Sequence, residues 1–209
     1  MTEWKTKPTD RFILKWIKLN LSARITPRLV GLDWLRPGMI TVSAAGLGVT
    51  AGVFFALGIG WLAALCACAS QILDGVDGQL ARLTGRVSRY GALLDAVLDR
   101  YADGAMVFGV LVYSLRLPSA LPTWLTLTLG GLALIGSNLV SYSSAKAESL
   151  HVPIGRPTLA SKGTRMSGMI IGGLSSVIWP ATPVLVLVYL AIHPNLAVAD
   201  RLLKGKTIG

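Results

Sequence analysis

QILDGVDGQLARLTGRVSRYGALLDAVLDRYAD, residues 71–103, gathers five of the chain's ten acidic residues into one segment between two apolar stretches. Carboxylates embedded in apolar helices are costly unless they meet a counter-charge or a water-filled cavity. Their spacing says where they face. Asp74, Asp77, Gly78, Ala81 and Arg82 fall at i, i+3, i+4, i+7 and i+8, which is one face of a helix. Gly91, Asp95 and Asp99 recur at four-residue steps on the next helix, again on one face. A short turn over residues 84–88 predicts two antiparallel neighbours whose acidic faces meet, so that four carboxylates converge. Such a group repels itself strongly without cations. Hard divalent ions with oxygen ligands, Mg²⁺ or Mn²⁺, resolve the conflict. Gly75, Gly78 and Gly91 read as places where a bulky ligand approaches the backbone, and Arg82 as a planar fork for a phosphate. The chemistry is that of a metal-clamped diphosphate beside a positioned base.

Outward from this segment the chain is poor in charge. Of 209 residues 53% are hydrophobic and 14% charged, and a soluble domain so composed would expose large apolar patches. Met39–Leu57 carries no charge and has the roughly 20 residues that cross a bilayer. Trp61–Leu73, Ala92–Leu115, Pro122–Tyr142, Met166–Trp179 and Pro183–Ile192 follow, several needing their polar flanks to complete a span. The expected architecture is all-α and integral to the membrane. Residues 1–36 form an N-terminal segment with an amphipathic interfacial helix, 37–200 a six-helix transmembrane catalytic domain, and 201–209 a basic tail. No cleavable signal peptide reads from the polar N-terminus. The lysines and arginines cluster before the first span, between spans two and three, between four and five, and after six, with only Arg116 in the other connections. That alternation places both termini and the acidic segment on the cytoplasmic side of a multi-pass cell-membrane protein. It also directs the net charge of +10 toward lipid rather than nucleic acid. From Arg11 to Ser22, Phe12, Ile13, Trp16, Ile17 and Leu21 share one helical side, and Arg11, Lys15, Lys18 and Ser22 the other, as in a helix lying on an anionic interface. Cys66 and Cys68 are two apart and do not face each other; they read as reduced core residues. His151 and His193 lack a partner at metal-ligand spacing and read as interfacial.

The segment resembles the signature of the CDP-alcohol phosphotransferase (phosphatidyltransferase) family, D-x-x-D-G-x-x-A-R-x8-G-x-x-x-D-x-x-x-D. Asp74, Asp77, Gly78, Ala81, Arg82, Gly91, Asp95 and Asp99 fill every fixed position. The resemblance implies a six-helix homodimer, two Mg²⁺ or Mn²⁺ ions per site, and transfer of a phosphoryl-alcohol group from a CDP-alcohol donor. It implies metal binding by Asp74, Asp77, Asp95 and Asp99, with Asp99 sharing a metal or serving as the catalytic base. Asp74, Gly78, Ala81 and Arg82 would lie against the CDP moiety. Residues 36–41, RPGMIT, resemble the family's L-x-P-N-x-x-T entry to the first span and add Pro37 and Thr41 to the CDP-binding set. Gly38 stands where the family has asparagine, and Pro37 also suits a helix start.

The acceptor is sought in the other basic segment. Ser141 and Lys146 end the fourth apolar span, and Arg156, Lys162 and Arg165 precede the fifth; together they form a candidate pocket for a phosphorylated polyol. Residues 7–10, 22–26 and 141–144 resemble the membrane domain of di-myo-inositol phosphate phosphate synthases. The cations before span five resemble phosphatidylinositol phosphate synthases. Both imply inositol 1-phosphate as acceptor, with CDP-inositol or CDP-diacylglycerol as donor; glycerol 3-phosphate is the alternative acceptor. The rival from another class is a divalent-cation transporter, whose acidic path should continue to the far side. Here the outer halves of these helices are mainly apolar. Gly168, Gly172 and Gly173 read as tight helix packing rather than a pore.

Overall fold

The computed structural model describes residues 12–117, 121–152 and 160–206; residues 7–11 and Arg156 lie outside them. Among the described residues all regular structure is helical. Helix α1 (Phe12–Ile17) runs through a π-helical turn (Lys18–Ser22) into α2 (Ala23–Leu29), and six helices follow: α3 (Pro37–Ala56), α4 (Gly60–Leu83), α5 (Arg89–Leu115), α6 (Thr123–Ser149), α7 (Lys162–Ser175) and α8 (Thr182–Lys206). Three of these are long and apolar enough to cross a membrane: α3, α6 and α8 over Thr182–Lys204. The predicted second and third spans, α4 and α5, carry the aspartates. Helix α7 has 14 residues, about 21 Å at 1.5 Å per residue, less than a ~30 Å hydrocarbon core.

The acidic hairpin is built by local signals. Gly85 takes a left-handed φ of 66°. The Arg86 amide bonds the Ala81 carbonyl at 2.9 Å and the Gly85 amide that of Arg82 at 3.4 Å, the paired bonds that close a helix C-terminus around such a glycine. Ser88 then caps α5, its hydroxyl accepting from the Gly91 amide at 3.0 Å, which satisfies an otherwise orphaned donor. The tight link fixes the rotation of α4 and α5 relative to each other.

The two acidic helices are not the close-packed neighbours expected. Helix α3 packs extensively against both of them, α6 against α8, and α4 against α7, while α4 and α5 make little backbone contact with each other. The carboxylates therefore face across a gap whose floor is α3. Small residues let α3 come close. A Cβ on Gly48 would meet that of Ala102 at 2.6 Å, and one on Gly109 would strike the Gly52 carbonyl. Close backbone approach of this kind is the usual way helices associate in lipid. Gly172 and Gly173 do the same, against Val186 and Gly60, whereas Gly168 faces open space. The core behind the gap is apolar, with Phe55, Met106, Val110, Met169, Leu187 and Leu190 all at most 1% exposed. Cys66 and Cys68 are free and pack at its edge.

A Gly52→Leu substitution should separate α3 from α5. Overpacking costs typically about 1–3 kcal/mol, and here the obstacle is backbone, so the purified protein should melt several degrees lower in detergent. An unchanged melting temperature would show that the two helices do not approach as described.

Candidate active site

Asp74 and Asp77 project from α4, Asp95 and Asp99 from α5, and all four line one small cavity walled by Ala44 and Ala102. Asp74, Asp95 and Asp99 each offer an oxygen, and these oxygens lie within 4.8 Å of one another. The donor set is all carboxylate, the chemistry that suits Mg²⁺ or Mn²⁺. Asp77 is tied to α3, since Thr41 Oγ1 donates to its Oδ2 at 2.7 Å.

A larger cleft of about 910 Å³ opens beside the carboxylates, lined by Pro37, Thr41, Asp74, Gly78, Ala81 and Arg82 among others. Its volume falls at the upper end of the roughly 300–1,000 Å³ usual for ligand pockets. Every residue predicted to contact the CDP moiety lines this one cleft. The Arg82 guanidinium folds back over Gly78, its Nη1 3.4 Å from where a Cβ would stand, an ordinary contact distance, so the arginine by itself does not require glycine there. Gly75 lines the cleft too, and it has a packing reason besides the expected one: a Cβ there would strike the Ser22 hydroxyl of the N-terminal helix.

Two lysines meet the carboxylates. Lys162 Nζ donates to Asp74 Oδ1 at 3.0 Å and to Asp99 Oδ1 at 2.8 Å, joining α7 to both acidic helices. Lys18 Nζ lies 2.7 Å from Asp74 Oδ2. Lys18 and Ser22, read from the sequence as part of an outward polar face, instead point inward and are 6% and 0% exposed.

The predicted acceptor residues divide. Lys162 is in the cluster. Arg165 is only 1% exposed; its Nη2 donates to Asp103 Oδ2 at 3.1 Å and its Nη1 to the Ala160 carbonyl at 2.7 Å, while Nε is buried without a hydrogen-bond partner. Ser141 accepts from Arg100 Nη1, and Arg100 also reaches Asp103 Oδ2 at 3.4 Å. Lys146 is exposed on the last turn of α6. Sequence reasoning missed the Arg165–Asp103–Arg100 chain. The signal was available, because Asp103 continues the four-residue series of Asp95 and Asp99. It also missed Arg201, which is buried in α8 and donates to the Val140 carbonyl at 2.6 Å, Ser143 Oγ at 2.8 Å and Ser144 Oγ at 3.0 Å.

A family model described as CDP-alcohol phosphatidyltransferase matches residues 34–194. The chain is 34% identical over 137 residues to a bifunctional IPC transferase and DIPP synthase of Thermococcus kodakarensis, covering 66% of this chain and 30% of that protein. It is 34% identical over 125 residues to an archaetidylinositol phosphate synthase of Pyrococcus horikoshii, covering 60% of this chain and 61% of that one. The chain thus spans less than two thirds of the length of these curated relatives. The crystal structure of the Mycobacterium tuberculosis phosphatidylinositol phosphate synthase with CDP-DAG bound superposes with a TM-score of 0.77 at 24% identity, over 90% of this chain and 94% of that one. The same enzyme has been solved with manganese and citrate. At that identity the likeness establishes the fold.

The Arg165–Asp103 pair should hold α7 against α5. Removing one partner of a buried ion pair costs about 3–5 kcal/mol, so Asp103→Asn and Arg165→Met should each lower the melting temperature markedly. The double variant should lose much less than the sum of the two. Additive losses would mean that the two side chains do not support each other.

Proposed function

The chain belongs to the CDP-alcohol phosphatidyltransferase family, and from that premise we propose that it transfers a phosphoryl-alcohol group from a CDP-alcohol to an inositol phosphate, releasing CMP. The observation that carries this reading is the convergence of Asp74, Asp95 and Asp99 beside a cleft whose lining includes Asp74, Asp95 and Arg82. That pairing of carboxylates with an arginine suits a diphosphate. In this reading Asp74, Asp77, Asp95 and Asp99 hold two divalent ions, Mg²⁺ or Mn²⁺. When bound, such ions neutralise diphosphate charge and polarise its phosphorus.

The chain's own residues do the rest. Thr41 fixes the Asp77 carboxylate. Gly78 and Ala81 keep the α4 wall low enough for the nucleotide, with Pro37 and Thr41 of α3 beside them. Arg82 donates to the diphosphate. The acceptor hydroxyl oxygen bonds to the phosphorus that carries the donor's alcohol as the bond from that phosphorus to CMP breaks. Asp99 takes the hydroxyl proton on a carboxylate oxygen, and CMP leaves with the bonding pair. No side chain becomes covalently attached, and positioning with preorganised charge supplies most of the acceleration.

Lys162, Arg165, Ser141, Lys146 and Arg156 receive the acceptor's phosphate. Lys162 supports this best, since its ammonium already stands between α7 and the carboxylate of Asp99. An inositol phosphate acceptor agrees with relatives whose names specify inositol phosphate products. The reading includes six spans within residues 37–200, an N-terminal segment and a basic tail facing the cytoplasm with the active site, and a homodimer.

Purified protein with Mn²⁺ or Mg²⁺ should release CMP from CDP-diacylglycerol or CDP-inositol when inositol 1-phosphate is present, and chelation by EDTA should abolish release. Turnover with glycerol 3-phosphate alone would overturn the acceptor assignment, and no CMP release from any pair would overturn the activity. Asp95→Asn should lower turnover by roughly a hundredfold or more, the scale for losing one preorganised charge-stabilising group, with the melting temperature nearly unchanged. Near-normal turnover of that variant with metal present would defeat the ligand assignment.

A further inference from the structure

The N-terminal helix is fastened to α4 by its polar side. Lys18, Ser22 and Thr26 follow one another at four-residue steps toward α4. Ser22 Oγ donates to the Ile72 carbonyl at 2.7 Å, and Thr26 Oγ1 donates to Gln79 Oε1 at 2.7 Å. Gln79 Nε2 in turn donates to the Lys18 carbonyl at 3.1 Å. The missing side chain of Gly75 makes room for Ser22. The π-helical turn spans Lys18–Ser22, and such turns re-aim side chains and recur at functional sites.

This fastening brings an ammonium to an unusual place. A lysine on an interfacial helix ordinarily keeps its head in water, and burying one is costly unless it is paired. Lys18 is 6% exposed, lies 2.7 Å from Asp74 Oδ2, and lines the same cleft as Gly78 and Arg82. The other oxygen of Asp74 faces Lys162 and α5. Lys18 precedes residues 34–194, the stretch that the family model covers, so its role is not carried by the aspartate signature.

We propose that Lys18 is a positioning residue for the donor: its ammonium fixes the Asp74 carboxylate from the cleft side and sets a positive charge on the wall where the CDP-alcohol's diphosphate lies. The N-terminal helix is then part of the donor site and not only a membrane-surface element. The inference rests on the functional reading above.

The test is calorimetric titration of CDP into the purified full chain with Mn²⁺ present. Lys18→Gln keeps most of the side chain's bulk and removes the charge; it should weaken CDP binding roughly tenfold, the scale of one charge-assisted contact. Lys18→Arg should stay within about threefold of wild type, as retained charge requires. In turnover the Lys18→Gln loss should appear mainly in the donor KM. Lys15→Gln removes an equal charge from the exposed side of the same helix and should leave CDP affinity unchanged. Wild-type affinity in Lys18→Gln, or an equal loss in Lys15→Gln, would overturn the proposal. Should Lys18→Gln fail to fold, reductive methylation of the wild type decides: CDP should slow modification of Lys18 and not of Lys15, and equal rates at Lys18 with and without CDP would overturn it. Wild-type protein that neither binds CDP nor releases CMP would instead sink the functional reading itself.

Discussion

Negative charge gathered inside an apolar helical bundle is the constraint to which the rest of this molecule answers. Asp74, Asp77, Asp95, Asp99 and Asp103 lie on two helices joined by a tight turn, and Asp77 and Asp103 are 6% and 4% exposed. No bundle keeps such a group without compensation. The compensation is spread over the whole fold. Lys18 comes from the N-terminal helix, Thr41 from α3, and Lys162 and Arg165 from α7. Ser141 on α6 is reached through Arg100. Helices far apart in sequence are thus held in register by one patch of carboxylates.

The same constraint accounts for the gap between α4 and α5. Direct packing would press the two acidic faces together in a low-dielectric interior, where repulsion is severe. Helix α3 keeps them apart while remaining close to each, and Gly48, Gly52 and Gly109 allow that approach. The space so preserved widens into the cleft. Stability and site come from one arrangement: the glycine seam that closes the apolar end leaves the acidic end open.

Periodicity was a sound guide to which residues share a face. Asp74, Asp77, Gly78, Ala81 and Arg82 do line one wall, with Pro37 and Thr41 beside them, because four-residue spacing is a property of the helix itself. Partners across helices were less legible. The short link at residues 84–88 suggested direct neighbours, and nothing in spacing alone says that α3 inserts between them. The inward turn of Lys18 was hidden for a related reason. Hydropathy treats every charge as water-seeking, so an amphipathic reading sends Lys18 and Ser22 outward. What reverses it is a receiving surface elsewhere in the chain, with a carboxylate at 74, a missing side chain at 75 and an amide at 79. Arg165 shows the same limit from the other side, since nothing in the spacing around a predicted helix start says that Asp103 stands opposite it.

Asp74 is where these demands meet. One of its oxygens faces Lys18 at 2.7 Å and the other Lys162 at 3.0 Å, so the carboxylate is gripped from both sides by lysines borne on different elements. A carboxylate held at both oxygens loses rotamer freedom before any ligand arrives, and preorganisation of that kind is what electrostatic catalysis requires. The grips differ in character. Lys18 is locked by the hydrogen bonds that Ser22, Thr26 and Gln79 make around it, whereas Lys162 begins α7 and spans two carboxylates. The fixed cation lies on the donor cleft and the bridging one on the side of Asp99. In the function proposed above, donor and acceptor would approach the same carboxylate across different lysines.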